Sequence, residues 1–193
     1  ISSQQRFKAF TAPHTQGAEK PILTRTQELA AKVLRGKIGA GFSTTLLEGV
    51  TGSGKTEVYF EAIEKAMEQN GQVLVLLPEI ALSTQWLERF EKRFGTAAHL
   101  WHSSVSKGKR KTTWKAIANG EAQLLVGARS ALFLPFKNLQ TIIIDEEHEG
   151  SYKQEDVVIY HARDMAVARA HHEKIPITLV SATPSLETLH NIE

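Results

Sequence analysis

The stretch TTLLEGVTGSGKTEVYFEAIEKAMEQ, Thr44 to Gln69, decides the fold. It reads as a short apolar strand (Thr44–Leu47), a glycine-rich turn and an amphipathic helix. The turn, GVTGSGKT from Gly49 to Thr56, fits G-x-x-x-x-G-K-[ST] at every fixed position. Gly49, Gly52 and Gly54 let the backbone fold tightly enough for successive N–H groups to face one anion-sized hollow. The positive end of the helix that starts near Lys55 adds to the same point. Ser53 lies inside the turn. Lys55 supplies a mobile cation for outer phosphates, and Thr56 a hydroxyl for Mg²⁺. A glycine-rich turn that merely contains a lysine is the alternative. The flanking strand and helix favour a nucleotide-phosphate site.

Outward from this stretch, strands and helices alternate. Ile1–Pro21 has no periodicity and reads as a linker or tail, with the folded unit running over 22–193. A helix starts at Leu23-Thr24 and is expected to turn Leu29, Ala30, Val33 and Leu34 to the core, up to Gly36. Beyond the central stretch, Asn70-Gly71 is a stop signal. Strands are expected over Val73–Leu77, Ala97–Trp101, Leu124–Val126, Thr141–Ile144 and Ile177–Val180. Helices are expected over Glu57–Met67, Ile80–Phe94, Thr112–Ala118 and Ala162–His172. Several strands are apolar on both faces, which predicts an α/β fold with a mostly parallel sheet covered by helices on both sides. In such sheets ligands lie beyond the carboxyl ends of the strands, so the polar tails carry the function.

The most informative tail follows Ile142-Ile143-Ile144: DEEH, Asp145 to His148. An acid at the end of an apolar strand downstream of a phosphate loop suits Mg²⁺ coordination by Asp145. Glu146 is then placed to orient and deprotonate a water attacking a γ-phosphate, with Glu147 or His148 the next candidates. A solvated acidic turn is the alternative, and the phosphate loop upstream weighs against it. The tail SATPS, Ser181 to Ser185, can hydrogen-bond neighbouring loops, but alone it reads better as a turn in which Ser185 caps a helix. PEIALSTQW (Pro78–Trp86) and GARSALFLPF (Gly127–Phe136) follow two further strands. Arg129 is a candidate phosphate contact, though residue type alone favours a surface arginine. The basic run Lys107–Lys111 near Trp101, His102 and Trp114 is either a phosphate-tracking patch or a solvated helix start.

Composition limits the alternatives. A chain of 193 residues with 41% hydrophobic content can bury one ordinary core. The sequence has no cysteine, which excludes disulfides and Cys-ligated zinc and fits a reducing compartment. No window is apolar enough for a membrane span. A net charge of +2 permits a nucleic-acid partner without requiring one. The chain starts at Ile rather than Met, as expected of a piece of a longer protein.

GVTGSGKT, PEIALSTQ, GARSALF, DEEH and SATPS, in this order, resemble the first motor lobe of superfamily 2 DNA helicases. SYKQED followed by YHARDMAV, and SATPSLETL, bring the resemblance closer to the bacterial primosomal replication-restart helicases. It extends from about Leu23 to the end of the chain. The resemblance implies a RecA-like lobe that uses ATP and Mg²⁺ to drive 3′→5′ movement on DNA, at forks and on single strands. It implies Gly49, Gly52, Ser53, Gly54, Lys55 and Thr56 at the phosphates, and Thr56 and Asp145 at Mg²⁺. Glu146 would be the hydrolytic base. Gln27 matches the family's adenine-reading glutamine. Arg129, Tyr152, Tyr160, Thr183 and the Pro78–Ala81 turn would bind DNA or couple it to hydrolysis. In that scheme Ser151–Tyr160 is the coupling loop, with Tyr152 and Tyr160 left for base stacking because Val157-Val158-Ile159 is aliphatic. Further implied partners are other lobes of the same parent chain, primosome proteins and single-strand-binding proteins, in a cytoplasmic, nucleoid-associated setting. The family's second lobe with its arginine fingers, its zinc region and its N-terminal DNA-binding domain have no counterpart here, so this piece is expected to bind nucleotide better than it hydrolyses it. A small-molecule P-loop kinase would need a substrate lid that the sequence lacks, and a nucleotide-dependent interaction module would leave the motor motifs unexplained.

Overall fold

The computed structural model describes residues 20–78, 84–154, 160–185 and 188. The elements alternate as expected. They are α1 (Arg25–Lys37), β1 (Ser43–Glu48), α2 (Lys55–Glu68), β2 (Gln72–Leu76), α3 (Thr84–Phe94), β3 (His99–Trp101) and α4 (Lys107–Asn119), then β4 (Leu124–Gly127), β5 (Leu139–Ile144), β6 (Lys153–Gln154), β7 (Tyr160–His161), α5 (Ala162–Glu173) and β8 (Pro176–Ser181). Six strands form one sheet in the order β1-β8-β5-β2-β4-β3, and every pairing in it is parallel. β6 and β7 form a separate antiparallel pair. No described helix is long and apolar enough to cross a membrane.

Each central strand feeds two cores, because successive side chains point to opposite faces. Val73, Val75, Val126, Ile143 and Val180 pack with α1, α2 and α3. Leu74, Leu76, Leu125, Ile142, Ile144 and Leu179 pack with α4, α5 and the turn through Ala131 and Leu132. On the first face Phe60 is the centre of an aromatic group, with edge-on contacts to Tyr59, Trp86, Phe90 and Phe94 at centroid distances of 5.4–5.9 Å. Such arrangements add to the stabilisation that burial alone gives.

Helix α1 differs from the sequence expectation. Ala31 and Leu34 are buried and Ile38 follows them inward, whereas Leu29 and Val33 are more than half exposed. The inward stripe therefore runs 27, 31, 34, 38. Its first member explains the rotation: Thr24 and Gln27 form a capping box, and the Gln27 side chain also reaches Ser53 in the phosphate loop. Helix α4 starts at Lys107, earlier than expected, because Ser106 caps it. The basic run becomes its largely solvent-exposed first turns. The first nineteen positions of the expected tail, and residues 80–83 of the helix expected from Ile80, lie outside the described residues.

Phe60→Ala should cost about 3–5 kcal/mol, because α2 and α3 cannot close over the vacated ring. Chemical denaturation measures this, with the midpoint falling and the slope unchanged.

Candidate functional site

The phosphate loop leaves β1 at Glu48 and enters α2 at Lys55. Gly52 and Gly54 take φ of 78° and 81°, a left-handed backbone that glycine adopts without strain. Gly54 also needs to be glycine because a Cβ there would collide with the Gln27 amide nitrogen. No side chain caps the amino end of α2, so its first amides face the loop's hollow. Lys55 Nζ donates to the carbonyls of Gly49 at 2.5 Å and Val50 at 3.2 Å. Gln27 is held at both ends of its amide: Oε1 accepts from the Thr24 amide and Nε2 donates to Ser53 O, each at 2.8 Å. That contact places Gln27 against the loop, with both ends of its amide engaged.

Beyond β1, β8 and β5 the three tails meet. The Gly49 amide donates to Ser181 O, and Ser181 Oγ lies 2.7 Å from His148 Nδ1. SATPS thus bridges the phosphate loop and the DEEH turn, while Ser185 Oγ also accepts from the Thr188 amide as the capping alternative anticipated. Asp145 and Glu146 line a cleft of about 160 Å³ together with Thr51–Thr56 and Arg89. Asp145 Oδ1 accepts from the Glu146 amide at 3.0 Å, and Oδ2 from the Tyr59 hydroxyl at 2.8 Å. Burial pushes the Asp145 carboxyl above its usual range, the Tyr59 hydrogen bond opposes that shift, and the Glu146 charge adds to it. Glu146 itself sits at φ 49°, a conformation that costs a non-glycine residue roughly 1–3 kcal/mol and clusters at functional sites. Its carboxylate stays partly exposed, with His148 Nδ1 3.6 Å from Oε2.

Among the described residues no cluster of three or more acidic or histidine side chains could hold a metal alone. One carboxylate and one hydroxyl beside a phosphate cradle nevertheless fit Mg²⁺, which characteristically takes few protein ligands and completes its shell with phosphate oxygens and water. Thr56 and Asp145 are the residues that would hold it.

Glu147 is not a reserve base. Its side chain is fully buried, with Oε1 accepting from the Ser185 amide at 2.8 Å and Oε2 from Thr188 Oγ1 at 2.9 Å. Arg163 Nη1, from α5, lies 3.4 Å from Oε2 and 2.6 Å from Ser185 Oγ. This carboxylate clasps the DEEH turn, the SATPS turn and α5 together.

Tyr152 corrects the stacking expectation. The ring is 1% exposed, and its hydroxyl shares its proton between Leu76 O at 3.0 Å and Asp145 O at 2.6 Å. It braces β2 against the start of the DEEH turn and has no face free for a base. The side chain of Tyr160 and residues 155–159 lie outside the described residues. Arg129 is partly exposed and donates to Lys153 O at 2.6 Å, beside a small cleft lined by Pro78 and Ser151. Thr183 is exposed, its amide donating to Ser181 Oγ. Of the Pro78–Ala81 turn, only Pro78 is described. Sequence reasoning missed Arg89, whose guanidinium pairs with Glu57 at 2.7 Å at the cleft edge. It also missed Tyr59 and Trp86, whose polar atoms meet beneath the cleft.

The DEAD/DEAH box helicase family model matches residues 24–192. The chain is similar to replication restart protein PriA of Rickettsia typhi, 52% identical over 193 residues, which is all of this chain and 28% of that protein. It is 50% identical to PriA of Rickettsia conorii over 173 residues, 90% of this chain and 26% of that protein. With PriA of Bacillus subtilis it shares 52% identity over 143 residues, 74% of this chain and 18% of that protein. The chain thus spans about a fifth to a quarter of the length of these curated relatives. Among solved structures, RecG bound to a three-way DNA junction superposes with a TM-score of 0.63 at 24% identity, over 88% of this chain and 22% of that one. The Hef helicase domain of Pyrococcus furiosus gives 0.61 at 18% identity, over 86% of this chain and 34% of that one. At those identities the likeness shows the fold alone, and the fold agrees with the sequence match. With its phosphate loop and DEEH turn meeting at one sheet edge, and with the family match covering nearly all of its length, the chain belongs to the DEAD/DEAH box helicase family.

Proposed function

We propose that this chain is the ATP-binding first lobe of a DNA-dependent ATPase, a 3′→5′ helicase of the replication-restart type. The observation that carries the reading is the meeting of Lys55, Thr56, Asp145 and Glu146 around one cleft, in a chain about half identical to replication restart proteins. Lys55 binds the outer phosphates in place of the loop carbonyls it now contacts. Thr56 and Asp145 hold Mg²⁺, which when bound neutralises charge on the β- and γ-phosphates. Glu146, the only carboxylate of the turn that is neither buried nor held by Tyr59, orients the attacking water and takes its proton. Gln27 reads the adenine from α1. Cytoplasmic, nucleoid-associated action with primosome and single-strand-binding proteins belongs to the whole protein. So do the arginine fingers, worth about 10³–10⁵ in rate in other phosphoryl-transfer enzymes, so the lobe alone binds nucleotide better than it hydrolyses it.

DNA is proposed as the second partner, reached through Arg129, Thr183, Tyr160 and the turn after Pro78. RecG and MrfA, two structural neighbours, have been solved with DNA bound. Coupling through the 151–160 loop is kept with a changed route. Tyr152 acts from the core on the Asp145 carbonyl, in place of stacking on a base. A P-loop kinase is disfavoured because the acid beside Asp145 serves water activation, and a kinase would use its acceptor substrate as nucleophile.

Lys55→Ala should abolish most Mg-ATP binding by calorimetry without lowering thermal stability, and equal affinity for both proteins would contradict the assignment. The acids at 146 and 147 should separate cleanly in the full-length protein. Glu146→Gln keeps ATP binding and stability and loses hydrolysis by orders of magnitude. Glu147→Ala instead leaves the Ser185 amide and the Thr188 hydroxyl without their buried acceptor, with Arg163 still paired to Asp164, and costs about 1–3 kcal/mol of stability in denaturation. The reverse pattern would move the base to Glu147.

A further inference from the structure

Tyr59 lies on α2, one turn beyond Thr56, and is fully buried. Two groups meet its hydroxyl. Trp86 Nε1 on α3 lies 2.6 Å away and Asp145 Oδ2 lies 2.8 Å away. The direction of these bonds is forced. An indole N–H can only donate, so Tyr59 accepts from Trp86. An ionised carboxylate can only accept, so the single Tyr59 proton goes to Asp145. The hydroxyl thus accepts one bond and donates one.

We propose that Tyr59 is a positioning residue for the metal side of the nucleotide site, supported from α3 by Trp86. Asp145 has Oδ2 fixed by Tyr59 and Oδ1 by the Glu146 amide, and each oxygen keeps a free lone pair. One phenol thus helps set the orientation of the Asp145 carboxylate before the nucleotide arrives. In a low-dielectric setting such a chain stiffens when fully satisfied and is costly when broken.

The inference rests on the reading of the cleft as a Mg-nucleotide site, and its test separates the two. Outer groups that orient metal ligands typically change metal affinity by about 10–100-fold. In the full-length protein, binding of a fluorescent ATP analogue is titrated against Mg²⁺, and binding in EDTA and the thermal midpoint are measured alongside. Tyr59→Phe should raise the Mg²⁺ midpoint roughly tenfold while binding in EDTA stays within about twofold of wild type. Trp86→Phe should raise the midpoint by less, because the Tyr59–Asp145 bond survives; if Tyr59→Phe does not fold, this variant decides alone. A Mg²⁺ midpoint unchanged in a folded variant overturns the proposal. So does an equal fall of binding with and without Mg²⁺, which would make Tyr59 a packing residue only. Wild-type binding that ignores Mg²⁺ contradicts the reading of the cleft itself, and the role of Tyr59 falls with it.

Discussion

All six strands of the main sheet run the same way, and the site depends on that constraint. Parallel pairing puts every strand's carboxyl end on one edge, where the connections carry polar residues. The order then decides which tails touch. β8 sits between β1 and β5, so SATPS lies between the phosphate loop and DEEH, within reach of both. Ser181 makes this physical: its carbonyl takes the Gly49 amide and its hydroxyl meets His148.

Beneath that edge the interior changes character. Lower in the sheet most packed side chains are apolar, and the buried Gln72 and Thr141 spend their polar atoms on backbone groups. At the top, Tyr59, Trp86, Tyr152, Glu147 and Arg163 bury polar atoms that hold one another. Such groups are tolerated inside only when satisfied, and satisfied networks restrict motion. The result is a rigid seat for Asp145, gripped at both carboxylate oxygens and at its carbonyl. Lys55 and Glu146, by contrast, stay accessible to the cleft. Rigid ligand positions beneath mobile charged groups are what a site needs if it must bind, react and release.

Legibility in the sequence followed interaction range. The phosphate loop, the alternation of strands and helices and the helix start at Leu23-Thr24 are local patterns, and they were readable. Features joining distant positions were not. Tyr152 looked like a stacking ring through the family resemblance of its loop, yet its hydroxyl bonds Leu76, 76 positions earlier. Glu147 looked equivalent to Glu146, since nothing local says which of two adjacent acids turns inward. The rotation of α1 escaped periodicity because Gln27, a polar residue, sets the buried stripe. No spacing reveals that the Tyr59 phenol reaches across 86 positions to Asp145.

The central claim is that the cleft hydrolyses ATP in a manner coupled to DNA. The most direct measurement is release of inorganic phosphate from Mg-ATP by the full-length protein, with and without single-stranded DNA. The account predicts slow release alone and strongly accelerated release with DNA, with water as the acceptor. Release indifferent to DNA, or transfer of the γ-phosphate to a small-molecule acceptor, would contradict it.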